Sequence, residues 1–249
     1  MQLEIDKLCK NFGGLRAIQN LSFKIKSGEI HGLIGPNGAG KTTTFNLISG
    51  FYKPTSGRII FDGNDISGKK IHNIAKKGIV RTFQATTVFQ QFTVLENVMA
   101  GRHLHTHYNI LTALTRSGTD HEFENERRAI EILEIVGMGD LLYEKAENLS
   151  HGHQKALGLA IALAADPRII LLDEPFAGMN PEETNRMIEL IREVRDHRIT
   201  VVLVEHDMHA VMSLCDRVTV LNFGELLADG TPDEVVQNDA VIEAYLGGS

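Results

Sequence analysis

The sequence has no tryptophan, only two cysteines and no surplus of positive charge. Cys9 and Cys215 are too few and too unpatterned for a disulfide framework or a cysteine-rich metal site, which suits a reducing compartment. The net charge of -7 gives no reason to expect general affinity for nucleic acid. No apolar run reaches the roughly 18 residues of a membrane-spanning helix. The alternating start Met1–Asp6 lacks the apolar segment of a signal peptide. If the protein acts at a membrane, we expect a partner to hold it there.

The composition is that of an ordinary globular protein that can build a large core. Hydrophobic residues make up 43% of the 249 residues and charged residues 23%, so the chain has both an interior and a solvated surface. We predict a single domain over residues 1–249. Its core and β part would comprise 1–89 and 166–249, and its helical part would lie at about 90–165, where the hydrophobic period becomes helical.

The most informative stretch reads G-x-x-x-x-G-K-[ST], the pattern of a phosphate-binding loop. Its residues are Gly35, Pro36, Asn37, Gly38, Ala39, Gly40, Lys41 and Thr42. The mostly apolar run Glu29–Ile34 before it suits a buried strand, and Thr42–Ser49 after it can form a helix that Gly50 ends. The alternative is a glycine turn that merely joins a strand to a helix. The strand and helix that flank the loop favour nucleotide binding.

The residue types in this loop match the chemistry of a nucleotide phosphate. Glycines let backbone N–H groups approach phosphate oxygens, and the helix N-terminus adds a positive dipole. Lys41 is predicted to bridge the β- and γ-phosphates, and the Thr42 hydroxyl to ligate Mg²⁺. Thr43, the next residue of the helix, belongs to the same predicted site.

Two further apolar strands end in polar side chains. Ile169–Leu172 precedes Asp173 and Glu174, and a second apolar run over residues 200–204 leads to His206. Ligands bind at the carboxyl ends of strands in open α/β sheets, and adjacent strand residues point to opposite sides. One carboxylate can therefore face Mg²⁺ and the other the attacking water. An ordinary acidic loop is the alternative.

Helix signals divide the second half of the chain. Thr93 with Glu96 has the form of a capping box, and Ser150 can cap a helix that continues over residues 155–165, where Gly152 allows close approach. In the functional interpretation, the helix N-terminus at Ser150 is a second site that binds an anion. Pro181 starts another helix, and one last helix is predicted near 233–246.

Two other residues have an ordinary interpretation and a functional one. Phe12 is either a lone core aromatic or a face on which an adenine ring stacks. Gln84 follows the strand-like run Ile79–Phe83 and, considered alone, is a surface glutamine.

Together these motifs resemble the nucleotide-binding subunits of ABC transporters, in the family's order and over essentially the whole chain. Gly35–Thr42 matches Walker A, Gln84 the Q-loop, Leu149–His153 the signature, Ile169–Asp173 Walker B, Glu174 the adjacent glutamate, Ala177–Asn180 the D-loop and His206 the switch histidine. The resemblance implies an α/β fold: a P-loop NTPase core with an antiparallel β edge and an inserted α-helical subdomain. Two cassettes would pair head to tail with two ATP molecules between them.

The resemblance also implies the residue roles. The ATP-binding residues are Phe12, Gly35, Pro36, Asn37, Gly38, Ala39, Gly40, Lys41, Thr42, Thr43, Ser150 and Gly152. Glu174, His206 and Lys41 would be catalytic, and Thr42, Gln84 and Asp173 would hold Mg²⁺. The signature departs from the usual L-S-G-G-Q, because His151 replaces the first glycine and His153 the glutamine. This departure concerns the geometry and pH dependence of the site rather than its class.

The finer resemblance is to the ATPase of branched-chain amino acid importers. Arg81–Gln84, Gly101–Leu104 with the long polar insert after it, Glu174–Pro181 and Ala244–Gly247 all look like that group. It implies permease subunits in the membrane, a second ABC ATPase subunit, an indirect link to a solute-binding protein, and a peripheral place on the cytoplasmic face of the inner membrane. The lipopolysaccharide-export ATPase is the alternative. A soluble ABC ATPase and a non-hydrolysing regulatory cassette are less favoured, since no second cassette is present and Glu174 and His206 are both retained.

Overall fold

The computed structural model describes residues 2–82, 88–102 and 117–246, and within them it contains ten strands and nine α-helices. The strands are β1 Leu3–Phe12, β2 Leu15–Ile25, β3 Ile30–Ile34, β4 Ser56–Phe61, β5 Asn64–Asp65, β6 Ile79–Arg81, β7 Ile169–Asp173, β8 Thr200–Val204, β9 Arg217–Asn222 and β10 Glu225–Gly230. The helices are α1 Lys41–Ile48, α2 Ile71–Ala75, α3 Val94–Gly101, α4 Ser117–Ile135, α5 His151–Leu163, α6 Pro181–Asp196, α7 Met208–Leu214, α8 Pro232–Val236 and α9 Asp239–Leu246. Gln84 and the stretch 103–116 of the polar insert lie outside the described residues.

A four-stranded antiparallel sheet has the order β2-β1-β4-β5. Apolar residues alternate with polar ones along its strands, so one face is buried and the other solvated. β1 and β2 form a hairpin across Gly13 and Gly14, with Leu3 paired to Ile25. A short hairpin across Asp62 and Gly63 joins β4 to β5.

A six-stranded sheet has the order β10-β9-β3-β8-β7-β6. Its strands are parallel except β10, which returns antiparallel to β9. Every residue of β3, β7 and β8 is buried, as expected for apolar strands covered on both faces. Because these three strands are parallel neighbours, their carboxyl ends lie side by side.

The helix starts follow the capping residues in the sequence. Thr93 forms the predicted capping box with Glu96, and Asn180 forms a second with Glu183 before Pro181. Ser150 caps α5, so this helix begins at His151.

The last predicted helix, near 233–246, is two helices in the structure. α8 ends at Val236, and the side-chain oxygen of Asn238 accepts hydrogen bonds from the Ala240 and Val241 amides to start α9. The helical period continues across the break, which is why hydrophobicity alone did not reveal it.

Two apolar clusters hold these layers together. One, around Phe45 of α1, lies between the antiparallel sheet and the six-stranded sheet. The other packs α3, α4, α5 and α6 against the opposite face of the six-stranded sheet. The α/β class with an antiparallel edge sheet is confirmed. In the described ranges, none of the helices is long and apolar enough to cross a membrane.

Candidate functional site

The loop between β3 and α1 can be formed only with glycine at two of its positions. Gly35 has φ 147°, and a Cβ there would lie 2.1 Å from the Leu221 carbonyl oxygen. Gly40 has φ 102°, and a Cβ there would lie 2.7 Å from Ile18 Cδ1. The predicted requirement for glycine therefore has two causes, a left-handed backbone and contact with neighbouring strands.

Lys41 is buried at the start of α1 and lies over its own loop. Its Nζ donates hydrogen bonds to the carbonyl oxygens of Gly35 (2.7 Å) and Pro36 (3.0 Å). Burial lowers the pKa of Lys41, and the nearby charges of Glu174 and Asp173 oppose that shift. The ammonium group is thus held at a partly desolvated point between the loop and two carboxylates, where it can interact strongly with phosphate.

An open cleft of about 600 Å³ collects most of the predicted site. It is lined by Phe12, Leu15, Arg16, Ala17, Gln19, Asn37, Gly38, Ala39, Gly40, Lys41, Thr42, Thr43, Glu174, His206 and Phe223. A volume of this order suits a ligand the size of a nucleotide. Phe12 is 40% exposed at the rim, with Tyr52 edge-on to its ring at 5.1 Å. Five further residues of the cleft were not predicted from the sequence: Leu15, Arg16, Ala17, Gln19 and Phe223.

Glu174 and His206 meet at the ends of β7 and β8. His206 Nε2 lies 3.1 Å from Glu174 Oε1, and the Glu174 amide donates to the Val204 carbonyl oxygen at 2.9 Å. Glu174 has a positive φ of 49°, a strained backbone that turns its carboxylate into the cleft. The Glu174 carboxylate can accept a proton, and the contact with His206 holds it in position.

Glu205 supports the start of the loop after β8. Its buried carboxylate accepts hydrogen bonds from the Phe176 amide (2.8 Å) and the His206 amide (2.9 Å). Burial raises the pKa of Glu205, and these amide hydrogen bonds oppose the shift. The carboxylate thereby links the loop after β7 to the loop that carries His206.

Asp173 is buried at the end of β7 and does not line the cleft that Glu174 lines. Its Oδ2 accepts a hydrogen bond from Arg81 Nη2 at 2.6 Å. That one carboxylate faces Mg²⁺ and the other the attacking water stays a prediction. Arg81 was not predicted from the sequence as the partner of Asp173.

Ser150 and Gly152 do not line the cleft of their own chain. Ser150 Oγ accepts a hydrogen bond from the His153 amide at 3.3 Å, and His153 Nδ1 also lies 3.1 Å from this oxygen. Gly152 faces α6, where an added Cβ would be 2.9 Å from a carboxylate oxygen of Glu183. Any phosphate that these residues contact must therefore come from outside the chain's own cleft.

Comparison with known proteins gives two family matches. Residues 18–177 match the family model described as ABC transporter, and residues 225–249 match one described as branched-chain amino acid ATP-binding cassette transporter. A solved nucleotide-free ATP-binding cassette from an ABC transporter has a TM-score of 0.86 and 31% sequence identity, with 98% of each chain covered. A dimeric bacterial ABC transporter cassette has a TM-score of 0.76 and 25% identity, with 92% of this chain and 98% of that chain covered.

Three curated relatives align over nearly the full length. The high-affinity branched-chain amino acid transport ATP-binding protein BraF of Pseudomonas aeruginosa is 43% identical, and LivG of Escherichia coli K12, which carries the same description, is 42% identical. The alignments cover 98% of this chain and 97% of each relative. The lipopolysaccharide export system ATP-binding protein LptB of Haemophilus influenzae is 34% identical, over 98% of this chain and 97% of that protein. The chain belongs to the ATP-binding subunits of ABC transporters, and it is an ATP-binding ATPase of that family.

Proposed function

We propose that this chain hydrolyses ATP to power the uptake of branched-chain amino acids. The observation that carries the proposal is its full-length similarity to BraF and LivG, at 43% and 42% identity, together with the family match at residues 225–249. Similarity to the lipopolysaccharide export protein is lower, at 34% identity. The transported molecule itself would be selected by other subunits, because the cleft described above is proposed to bind the nucleotide.

The roles of the site residues follow from their positions. The loop amides and Lys41 would stabilise the negative charge on the transferred phosphoryl group, which is the main route to catalysis in such reactions. Glu174 would orient or deprotonate the attacking water, and His206, at 3.1 Å, would hold that carboxylate in place and contact the γ-phosphate. Phe12, exposed at the rim, would stack on adenine.

The donor set fits Mg²⁺, a hard cation that binds oxygen and retains several waters and substrate oxygens. Thr42 offers a hydroxyl in the cleft, and Asp173 a buried carboxylate at the end of β7. Bound there with the nucleotide, Mg²⁺ would neutralise phosphate charge. Gln84, which lies outside the described residues, is proposed as a further ligand.

A second cassette would complete each site. Ser150 and Gly152 lie at the start of α5, away from the cleft of their own chain. We propose that they contact the ATP of a partner in a head-to-tail dimer. The solved dimeric cassette shows that relatives form dimers. The partner would be an identical chain or a related second ATPase.

Permease subunits would hold the dimer at the cytoplasmic face of the inner membrane, with the solute-binding protein linked through them. The described helical part offers a contact surface: the exposed rings of Phe89 and Phe92 lie 5.1 Å apart just before α3.

We further propose that residues of about 90–165 form a helical subdomain inserted between the two parts of the core.

The test is to identify the partners of the chain in its native membrane. A tagged Glu174→Gln chain is purified from solubilised membranes with ATP present, and the co-purifying proteins are identified by mass spectrometry. Two polytopic permeases and a second short ATPase, together with loss of low-concentration leucine uptake when the gene is deleted, support the proposal. Lipopolysaccharide-export permeases replace it with the alternative transporter. Absence of any membrane protein, while a reference transporter survives the same procedure, contradicts it.

A further inference from the structure

Arg81 links three elements beneath the nucleotide cleft. It is the last residue of β6, and its guanidinium donates one hydrogen bond to Asp173 Oδ2 on β7 and another to Asn46 Oδ1 on α1, both at 2.6 Å. The arginine side chain is 12% exposed and the aspartate side chain 4%. The two hydrogen bonds fix the plane of the guanidinium, so its charge is directed at one oxygen of Asp173.

The ion pair between Arg81 and Asp173 compensates the charge of a buried carboxylate. A buried carboxylate is costly unless a counter-charge and hydrogen bonds compensate it. Arg81 supplies both, and its guanidinium remains cationic in proteins. Lys41 is also close: the negative charge of Asp173 opposes the lowering of the Lys41 pKa by burial. Two cations of the same chain, Arg81 and Lys41, therefore lie near Asp173.

The same place has few ligands for a metal ion by itself. Within the ranges 2–82, 88–102 and 117–246, no group of three or more His, Cys, Asp or Glu side chains could hold a metal ion. A small divalent cation that loses water there would gain the oxygens of Asp173 and Thr42 and would face Arg81 and Lys41. Nucleotide phosphates supply both the missing oxygens and the missing negative charge.

We propose that Arg81 is an internal counterion of Asp173 that excludes divalent cations from this carboxylate until a nucleotide brings further oxygen ligands. The inference rests on the proposed assignment of Asp173 to the Mg²⁺ site. Arg81 is thus a positioning residue, which acts on the metal through Asp173. Without it, only Lys41 compensates the buried charge of Asp173, and a divalent cation from solution can supply the missing positive charge.

The test measures Mn²⁺ binding without nucleotide, with Mn²⁺ standing in for Mg²⁺ as a hard divalent cation. Free Mn²⁺ is followed by electron paramagnetic resonance in the wild-type chain, Arg81→Met and Arg81→Lys. Arg58→Met is the matched control, because Arg58 also donates to an aspartate (Asp6, 2.7 Å) but is 61% exposed on the antiparallel sheet.

The counterion role predicts that Arg81→Met binds Mn²⁺ at least about tenfold more tightly than the wild-type chain, since an opposite charge within 4–6 Å shifts such equilibria by one or more powers of ten. Arg81→Lys, which keeps the charge, stays near the wild type, and Arg58→Met is unchanged. Adding Asp173→Asn to Arg81→Met abolishes the new binding. Equal Mn²⁺ binding in the wild type and Arg81→Met overturns the proposal.

A second measurement covers the case in which Arg81→Met is too unstable to purify. Arg81→Gln removes the charge but keeps a side-chain amide that can donate a hydrogen bond to Asp173. Its thermal midpoint is then expected to rise with Mn²⁺ while that of the wild type does not, and no rise overturns the proposal. Neither readout requires hydrolysis or transport. If the chain hydrolyses ATP at a normal rate but Mn²⁺ binding does not respond to the substitutions, only this inference is refuted. If Mn²⁺ binding responds as predicted but the chain does not support amino acid uptake, only the proposed function is refuted.

Discussion

His206 Nε2 and Glu174 Oε1 lie 3.1 Å apart, although 32 positions separate the two residues in the chain. They meet because β7 and β8 are adjacent parallel strands, with Asp173 paired to Val204, so the residues that follow each strand emerge at one edge of the sheet. The contact gives the carboxylate a fixed orientation toward the cleft that contains Lys41 and the P-loop.

Replacing His206 with alanine tests the contribution of this contact. We expect turnover to fall by ~100-fold, the usual scale for an acid–base group, because Glu174 loses the side chain that orients it. Nucleotide affinity is expected to change little, since the loop and Lys41 remain. Steady-state phosphate release and equilibrium binding of a fluorescent ATP analogue measure the two quantities. His209→Ala, an exposed histidine on α7, is the control, and equal turnover in both variants would refute the role of His206.

Gly35→Ala tests whether the loop depends on close backbone approach. A Cβ at residue 35 would lie 2.1 Å from the Leu221 carbonyl oxygen, so we expect a loss of at least ~2 kcal/mol in the free energy of unfolding. Gly14→Ala is the control, because a Cβ at residue 14 has no atom within 4 Å. Urea unfolding of both variants checks the difference, and equal stabilities would be inconsistent with the described loop.

Phe223 occupies a turn position that favours a different residue. It has φ 46° at the two-residue turn between β9 and β10, its ring is 80% exposed, and Gly224 follows with φ 81°. Asparagine before glycine is preferred in such turns, whereas a bulky residue at positive φ is strained. We therefore expect Phe223→Asn to raise the free energy of unfolding by about 1 kcal/mol. Phe223→Leu retains the strain, and an equal gain from it would contradict this explanation.

Cys215 should make the folded chain less stable at alkaline pH. Burial raises the pKa of its thiol far above the ordinary value, so from about pH 8.5 the unfolded chain loses a proton that the folded chain keeps. The free energy of unfolding should then fall by up to about 1.4 kcal/mol per pH unit from this group. Denaturant unfolding between pH 7.5 and 10 measures the slope. Cys215→Ala should reduce it, Cys9→Ala should not, and identical slopes in both variants would refute the effect.

The sequence predicted the parts of the site that are local in the chain. The P-loop and the polar residues after β7 and β8 could be placed because each follows an apolar strand, and parallel strands present their ends together. The cap of α5 at Ser150 and the capping box at Thr93 were also predictable from residue type.

Contacts between distant side chains could not be predicted in the same way. Arg81 and Asp173 are 92 positions apart, and their pairing depends on β6 lying beside β7 and on the depth at which both are buried. Phe223 reaches the cleft because its hairpin is fixed to the P-loop by the hydrogen bond from the Gly224 amide to the Ala39 carbonyl oxygen. The only signal for this in the sequence was a turn at Gly224.

Glu174→Gln is the most direct test of the account, because every proposed step depends on this carboxylate as the base. Glutamine keeps the shape of the side chain but removes the proton acceptor. We predict ATP binding close to that of the wild type, accumulation of an ATP-bound dimer, and turnover at least ~100-fold lower. Glu182→Gln on α6, an exposed acidic position that does not line the cleft, is expected to behave as the wild type. Wild-type rates of phosphate release from Glu174→Gln would contradict the account.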